Sequence, residues 1–214
     1  MTEYQNDRLD TISLDCVSNP DEHVASTFCY WLTGLPGAGK TTLAREFSRS
    51  LRSRQISTVV LDGDELRAGL NRDLAYSRED RSENIRRVSE ISRVLIESDI
   101  TAIVALVSPY HEDRDMARQI VGPHRFVEVF VDAPIDTCME RDPKGLYQRA
   151  RTGMISNFTG VTAPYEKPAA PTLHIPTSVR TVAESIGILL NHFEHLRERT
   201  SKSDAKFWQD PIGA

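Results

Sequence analysis

The segment GLPGAGKT, residues 34–41, contains the residues that point most directly to a reaction. It matches the pattern GxxxxGK(S/T) and lies between an apolar run of strand length and a predicted helix. Its glycines allow a tight turn whose N–H groups form an anion site with the start of the helix. Lys40 supplies a cation for the β- and γ-phosphates, and Thr41 supplies a hydroxyl for Mg²⁺. We therefore predict nucleoside triphosphate binding by Gly34, Leu35, Pro36, Gly37, Ala38, Gly39, Lys40, Thr41 and Thr42.

Two carboxylates follow the second apolar run, in the segment LDGDELR, residues 61–67. A parallel strand delivers its chain to the ligand crevice at this point, so Asp62 and Asp64 are expected at the phosphates. An acid there could hold Mg²⁺ through water or take the proton of a phosphoryl acceptor. We favour Asp62 for the metal or base role and Asp64 as its support. The alternative is an Asp-Gly turn with a helix N-cap.

Binding of a triphosphate does not by itself define the reaction. A GTPase would also need a guanine-reading Asn-Lys-x-Asp segment, and the sequence contains none. Motor and transporter ATPases usually have longer chains than these 214 residues. A small-molecule kinase that uses ATP and Mg²⁺ is therefore the favoured class. The net charge of −5 and the pI near 5.7 argue against a long nucleic acid as partner.

A second anion site is predicted from basic residues near the same crevice. Arg67 follows Asp64 by three positions, and Arg81 and Asn84 open a helix predicted over residues 77–98. Residues three apart are neighbours on a helix surface. The two arginines could grip an anionic acceptor with bidentate hydrogen bonds, and Asn84 could contact a polar group of it. A solvated, charged helix face is the alternative for SREDRSENIRR, and we expect it for Arg86 and Arg87.

The stretch 142–172 is long for a connection in a compact domain, and such stretches are often lids. A positively charged lid could close over phosphates and exclude water. Phe158, with Tyr76, could stack on a purine, although ordinary packing is the alternative for each aromatic. The stretch holds Lys144, Tyr147, Arg149, Arg151 and Phe158.

Strands alternating with helices must position these residues. The alternation predicts an α/β fold of the P-loop NTPase type, with three layers and a parallel sheet of about five strands covered by helices on both faces. Ser108 and Pro109 end the third strand at the crevice. The fourth run, FVEVFVDA, is partly polar, so we expect it to be less buried. The predicted strands are 27–34, 56–63, 100–108, 126–133 and 173–177, and a last helix is predicted over 180–199.

The chain divides into a flexible N-terminal arm at 1–25, a kinase domain at 26–199 and a C-terminal tail at 200–214. The first residues lack the basic start and apolar centre of a secretory signal. No run of about 18 apolar residues occurs, so we expect a cytoplasmic protein without a membrane partner. Three cysteines without regular spacing argue against a disulfide framework or a zinc site, and Cys29 and Cys138 are expected to be buried.

Several motifs in the same order resemble the adenosine 5′-phosphosulfate kinase family over residues 27–195. The resemblance implies transfer of the γ-phosphoryl group of ATP to the 3′-hydroxyl of adenosine 5′-phosphosulfate, which activates sulfate as 3′-phosphoadenosine 5′-phosphosulfate. It depends on GLPGAGKT, LDGDELR, GLNRDLAYS, DRSENIRRV, SPY with DRD after it, FVEVFVD, RDPKGLYQRAR, NFTGV and APYE.

The resemblance also implies roles for residues at matching positions. The loop 34–41 would bind ATP and Mg²⁺, and Asp62 would assist catalysis and metal binding. The serine at Ser108 is named in the family as a phosphorylated intermediate, although direct in-line transfer needs no covalent step. The acceptor would be held by Arg67, Arg81 and Asn84 at its phosphosulfate and sugar, by Tyr76 and Phe158 at its adenine, and by Ser108, Pro109, Lys144 and Leu146 around them.

The sequence departs from the family pattern at Pro36, Glu65 and His111, which commonly are serine, asparagine and arginine. The nearest rival is a related kinase that phosphorylates the ribose of another nucleotide. A nucleotide-binding regulator without turnover is a third hypothesis, against which the intact Lys40, Thr41, Asp62, Arg67 and Arg81 count. The family implies a homodimer, and an ATP sulfurylase partner would be a separate chain.

Overall fold

The computed structural model describes residues 27–207, with side chains as far as residue 200. The arm predicted at 1–25 and residues 208–214 of the predicted tail lie outside this range. The elements in chain order are β1 Cys29–Thr33, α1 Lys40–Arg52, β2 Thr58–Asp62, α2 Gly63–Ala68, α3 Arg78–Glu97, β3 Thr101–Ala105, α4 His111–Val121, β4 Phe126–Asp132, α5 Ile135–Arg141, α6 Leu146–Arg151, β5 Leu173–Pro176 and α7 Val182–Phe207.

The strands form one parallel sheet in the order β2-β3-β1-β4-β5. Since all strands run the same way, their carboxyl ends meet at one edge of the sheet. The chain leaves this edge after Thr33, Asp62 and Ala105, at the ends of β1, β2 and β3. The predicted parallel sheet is therefore confirmed, and its loops converge where the phosphate loop begins.

Two cores on opposite faces of the sheet hold the helices in place. All of β1 is buried, and its side chains alternate between the two faces. On one face Tyr30 packs against Phe47 of α1 and Phe193 of α7. On the other, Trp31 packs against Phe126 and shares a core with residues of α3 and α4. The prediction of helices on both faces is confirmed, as both faces of a buried parallel strand are apolar.

Strand β4 corrects one prediction. Its polar Glu128 made it a candidate for partial exposure, but the strand is buried, with Glu128 only 7% exposed. Glu128 Oε1 accepts a hydrogen bond from Arg114 Nε at 2.8 Å, and its Oε2 accepts one from Arg118 at 3.1 Å. A carboxylate can be buried when it is paired and hydrogen-bonded. The partners come from α4, so the strand sequence alone did not reveal them.

Helix α3 begins as the sequence predicts. Ser77 Oγ accepts a hydrogen bond from the Asp80 N–H at 3.0 Å, which satisfies one free donor of the first turn. Because the helix starts near the carboxyl edge of the sheet, its first two turns carry Arg81 and Asn84 to the crevice.

The end of the last helix differs from the prediction. Helix α7 continues to Phe207 rather than ending near Arg199, so part of the predicted tail is helical. The buried positions predicted for Cys29 and Cys138 are confirmed. Within the described range, no helix combines the length and the apolar character that crossing a bilayer requires.

Candidate active site

One cavity of about 880 Å³ opens at the carboxyl edge of the sheet. Its walls come from the phosphate loop, the first turns of α2 and α3, the loop after β3 and the stretch that follows Arg141. Gly34, Leu35 and Ala38 are predicted site residues that do not line it. The predicted site residues that line it are Pro36, Gly37, Gly39, Lys40, Thr41, Thr42, Asp62, Asp64, Arg67, Tyr76, Arg81, Asn84, Ser108, Pro109, Lys144, Leu146 and Phe158.

The phosphate loop depends on glycine at defined positions. Gly37 has a φ of 80°, and a Cβ there would lie 2.9 Å from the Cys138 carbonyl oxygen. A Cβ at Gly34 would lie 2.3 Å from the Val131 carbonyl oxygen. Gly39 is the N-cap of α1 and brings no side-chain cap, so the first N–H groups of the helix keep their capacity for an anion.

Lys40 is buried at the floor of the loop. Its Nζ donates to the carbonyl oxygens of Gly34 at 2.8 Å and Leu35 at 2.9 Å. Burial lowers the pKa of Lys40 to about 8, although the charges of Asp62 and Asp64 oppose the shift. No described carboxylate forms an ion pair with this ammonium group. An incoming phosphate would therefore supply the counter-charge that the buried ammonium lacks.

Thr41 and Asp62 bring two oxygens together beside the loop. Thr41 Oγ1 donates to Asp62 Oδ2 at 2.6 Å, and the Asp62 carboxylate is buried. Asp62 Oδ1 accepts from the Asp64 N–H at 3.0 Å and caps α2. The N-cap alternative from the sequence is thus correct for one carboxylate oxygen, while the other one faces Thr41.

These two oxygens suit a Mg²⁺ ion that completes its shell with other ligands, rather than a metal ion whose ligands all come from the protein. Mg²⁺ prefers hard oxygen ligands and usually keeps waters and substrate phosphates in its shell. Among the described residues, no group of three or more His, Cys, Asp or Glu side chains could enclose a metal. Thr41 and Asp62 could therefore hold Mg²⁺ together with phosphate oxygens.

The predicted lid stretch reaches over the phosphate loop. Lys144 forms an ion pair with Asp64 at the start of α2. Tyr147 Oη donates to the Pro36 carbonyl oxygen at 2.9 Å. The ring of Phe158 packs edge-on against Tyr147, with 5.0 Å between the ring centroids. Arg149 also lines the cavity, and the only cationic residue predicted for the stretch but absent from this wall is Arg151.

Two guanidinium groups, one from α2 and one from α3, line the same cavity beside one aromatic ring. The Arg67 guanidinium lies 4.3 Å from the centroid of Tyr76, and that of Arg81 lies 5.6 Å from it. Arg81 also donates to Thr159 Oγ1 at 3.2 Å. Burial lowers the pKa of Arg81, and the nearby charge of Arg67 adds to the shift. Crowded, partly desolvated cations of this kind favour an anionic ligand.

For helix α3 the sequence left open a face that lines the crevice or a solvated, charged face, and the helix has both. Arg81 and Asn84 line the cavity. Arg86 and Arg87 instead donate to Glu83 at 2.7 and 2.8 Å on the outer surface, as expected for them. The charged segment therefore lines the cavity on one side and forms exposed ion pairs on the other.

Ser108 lies in the loop that follows β3, and several hydrogen bonds hold it there. It is buried and has a φ of 39°, an uncommon value for a residue with a side chain. Its Oγ accepts a hydrogen bond from Trp31 Nε1 at 3.1 Å, and its carbonyl oxygen accepts one from Arg114 at 2.7 Å. The Glu166 N–H donates to the carbonyl oxygen of Pro109 at 2.8 Å. Hydrogen bonds from Trp31, Arg114 and Glu166 thus fix this part of the cavity wall.

Sequence reasoning missed the wall beyond the phosphate loop. Arg141 donates to Thr177 Oγ1 at 3.2 Å, and Thr177 Oγ1 lies 2.8 Å from the Ala38 carbonyl oxygen. Thr177 directly follows β5, so the rule that parallel strands end at one edge could have identified it. The missed residues that line the cavity here are Arg141, Thr177, Arg180, Val182 and Ser185.

The departures from the family pattern have local partners. Glu65 pairs with Arg45 at 2.8 Å, and both side chains are exposed. His111 Nδ1 accepts a hydrogen bond from Arg114 at 2.8 Å. Neither contact closes the cavity or neutralises Arg67 or Arg81.

Comparisons with known proteins agree with this geometry. The family model described as adenylylsulphate kinase matches residues 26–176. An adenylyl-sulfate kinase of Pseudomonas aeruginosa is 51% identical over 147 residues, covering 69% of this chain and 75% of the relative. An adenylyl-sulfate kinase of Saccharomyces cerevisiae is 46% identical over 164 residues, covering 76% and 81%.

A solved structure is also similar. The Mycobacterium tuberculosis APS kinase CysC, in complex with AMPPNP and APS, matches with a TM-score of 0.76 and 40% identity. The match covers 78% of this chain and 98% of that one. With the order of the motifs, the parallel sheet and the phosphate loop all in agreement, the chain belongs to the adenylylsulphate kinase family, whose members are ATP-dependent kinases.

Proposed function

We propose that the chain transfers the γ-phosphoryl group of ATP to the 3′-hydroxyl of adenosine 5′-phosphosulfate. The observation that carries the proposal is that a single cavity is lined by two separate sets of groups suited to anions. Lys40 and the first turn of α1 are one set, Arg67 and Arg81 are the other, and we assign them to two ends of the cavity. A kinase needs this arrangement when both of its substrates are anions and must be held in line.

Further support comes from a relative. The M. tuberculosis APS kinase is described in complex with AMPPNP, an ATP analogue, and with APS. The cavity of the present chain measures about 880 Å³, towards the upper end of the range of about 300–1,000 Å³ that is usual for ligand pockets. We assign ATP to the Lys40 end and the phosphosulfate to the Arg81 end.

The reaction follows from these positions. The acceptor 3′-oxygen forms a bond to the γ-phosphorus while the bond to the β,γ-bridging oxygen breaks, and ADP keeps that electron pair. Lys40 neutralises the charge that develops on the phosphates. Asp62 takes the hydroxyl proton, or it holds the metal together with Thr41 and the proton passes to an oxygen of the transferred phosphoryl group. Mg²⁺, when bound, supplies further neutralisation of the triphosphate.

The acceptor and the lid complete the arrangement. Asn84, Ser108, Pro109 and Leu146 would surround the acceptor, and its adenine would lie between Tyr76 and Phe158. Closure of the stretch 142–172, with Lys144 over the phosphates, would exclude water as a competing acceptor. We also expect a homodimer, and an ATP sulfurylase on a separate chain as supplier of the phosphosulfate.

The test is an ADP-release assay with ATP, Mg²⁺ and one candidate acceptor at a time, with product identified by mass spectrometry. We expect ADP and a 3′-phosphorylated product with adenosine 5′-phosphosulfate. Lys40→Ala is the control and should lose activity by about 10²–10³-fold, as for other removed electrostatic stabilisers. ADP with a different nucleotide only would identify the related kinase, and no ADP with any nucleotide would support the regulator.

A further inference from the structure

A fully buried asparagine lies directly behind the acceptor end of the cavity. Asn71, in the loop between α2 and α3, has no exposed surface. Its N–H donates to the Leu66 carbonyl oxygen at 2.8 Å, and its own carbonyl oxygen accepts from the Leu74 N–H at 3.1 Å. The backbone contacts fix the loop and do not need an amide side chain. A buried amide is unfavourable unless its polar atoms have partners, so the side chain needs a separate explanation.

The side chain of Asn71 contacts a cavity residue. Asn71 Nδ2 donates to Asn84 Oδ1 at 2.9 Å. Asn84 is itself buried but lines the cavity. Its Nδ2 has no hydrogen-bond partner in the described part of the chain, yet it is not sealed from solvent. With its oxygen already engaged by Asn71, Asn84 therefore presents only N–H donors to a ligand.

The opposite arrangement of the two amides is less favourable. Asn71 Oδ1 is buried without a partner in the described chain. If the Asn71 amide were reversed, its two N–H donors would be buried without acceptors instead. Unpaired buried N–H groups are rarer in proteins than under-used carbonyl oxygens. The observed direction, from Asn71 to Asn84, is the one that this loop stabilises.

We propose that Asn71 is a positioning residue that determines acceptor specificity by fixing the direction of the Asn84 amide. Arg67 and Arg81 also offer only donors, so this end of the cavity selects a group that can only accept hydrogen bonds, such as a phosphosulfate oxygen. A reversed Asn84 would turn a carbonyl oxygen towards that group and repel it. The inference depends on the proposed function, which assigns this end to the acceptor.

Two substitutions test the inference kinetically. Asn71→Leu removes the side-chain donor and keeps a similar volume. In Asn71→Asp the carboxylate can only accept hydrogen bonds, so the Asn84 amide would have to reverse and donate to it. We expect each to raise the KM for adenosine 5′-phosphosulfate about tenfold or more, as for one lost hydrogen bond to a charged group, and to leave the KM for ATP nearly unchanged. Thr101→Val is the matched control, because Thr101 Oγ1 is also buried and unpaired within the described chain but lies away from the cavity. It should change neither KM.

A double-mutant cycle separates positioning from general stability. In an Asn84→Leu background, Asn71→Leu should have no further effect on the acceptor KM, since its target is gone. Equal losses for ATP and acceptor, or an undiminished effect in that background, would overturn the inference. If the wild type does not use the phosphosulfate at all, the proposed function fails instead.

A binding measurement on the wild type does not depend on the activity of the variants. The side-chain amide signals of Asn84 can be assigned in ¹⁵N spectra by their absence from Asn84→Leu. We expect them to shift when adenosine 5′-phosphosulfate is added and to stay in place when an ATP analogue alone is added. Asn84 signals that do not shift on addition of the phosphosulfate would show that the Asn84 donors do not face it and would refute the positioning role.

Discussion

Thr41 Oγ1 lies 2.6 Å from Asp62 Oδ2, so the hydroxyl of the phosphate loop and the carboxylate at the end of β2 meet at one point. Local sequence alone does not bring the two oxygens together, because the two residues are 21 positions apart. The pairing of β2 with β3, and of β3 with β1, brings them to the same edge. The relationship gives the metal proposal a definite place to test.

Asp62→Asn should weaken the dependence on Mg²⁺ specifically. The amide keeps the cap on α2 but removes the negative charge beside Thr41. We expect the Mg²⁺ concentration at half-maximal activity to rise about 10–100-fold, the range for disturbed metal sites. Titration of Mg²⁺ at saturating ATP measures this. Glu65→Gln removes an equal charge from an exposed neighbour and should alter the titration little; an unchanged titration for Asp62→Asn would move the metal elsewhere.

Arg81→Ala should impair the acceptor far more than ATP. Its guanidinium contacts Thr159 and Tyr76 rather than the phosphate loop. We expect a rise of about 10–100-fold in the acceptor KM, the effect of losing a charge-assisted hydrogen-bond pair. Initial rates with each substrate varied in turn provide the measurement.

Arg86→Ala is the matched control for Arg81→Ala. It removes the same charge from the same helix, but Arg86 pairs with Glu83 on the outer surface. Both KM values should stay close to those of the wild type. If ATP affinity fell as much as acceptor affinity in Arg81→Ala, Arg81 would not belong to the acceptor site.

The pKa of Lys40 predicts how ATP binding depends on pH. Burial lowers this pKa to about 8 in the free chain, so the amine is charged below pH 8 and neutral above it. The bound triphosphate favours the charged form and raises the pKa again. ATP binding should therefore take up a proton between about pH 8 and pH 10 and weaken as the pH rises through that window.

Calorimetry can measure this proton uptake directly. Titrations at pH 8.5 in two buffers of different ionisation enthalpy should give different apparent enthalpies, while Lys40→Arg should show no such difference at the same pH. Lys40→Arg stays charged throughout, so its binding should lose the pH dependence even if it is weaker. A wild-type affinity that is flat across the window would show that Lys40 does not change its protonation when ATP binds.

Much of the fold and the site could be predicted because the signals are local. GLPGAGKT specifies its own turn, and Ser77 specifies the start of α3, so the positions of Lys40 and Arg81 followed. The burial of Glu128 could not be predicted, because its partners Arg114 and Arg118 lie on a different element. The contact between Asn71 and Asn84 was also invisible, since it depends on how a loop folds back onto a helix.

The buried ion pair of β4 leads to a prediction about stability. Arg114 is 2% exposed and donates to Glu128 Oε1, so removing the carboxylate leaves an uncompensated buried charge. Glu128→Ala should lower the free energy of unfolding by about 3–5 kcal/mol, as for other broken buried pairs. Urea denaturation followed by circular dichroism measures the change.

Two further variants show whether the loss of stability in Glu128→Ala comes from the burial of the ion pair. Glu194→Ala removes the carboxylate of an exposed pair with Arg54 and should change the free energy of unfolding by about 0–1 kcal/mol. Glu128→Leu combined with Arg114→Met replaces both charges by apolar groups and should recover part of the stability lost in Glu128→Ala. It should still lose activity, because Arg114 also donates to the Ser108 carbonyl oxygen and braces the cavity wall. A double variant no more stable than Glu128→Ala would mean that lost packing, rather than the unpaired guanidinium, destabilises the fold.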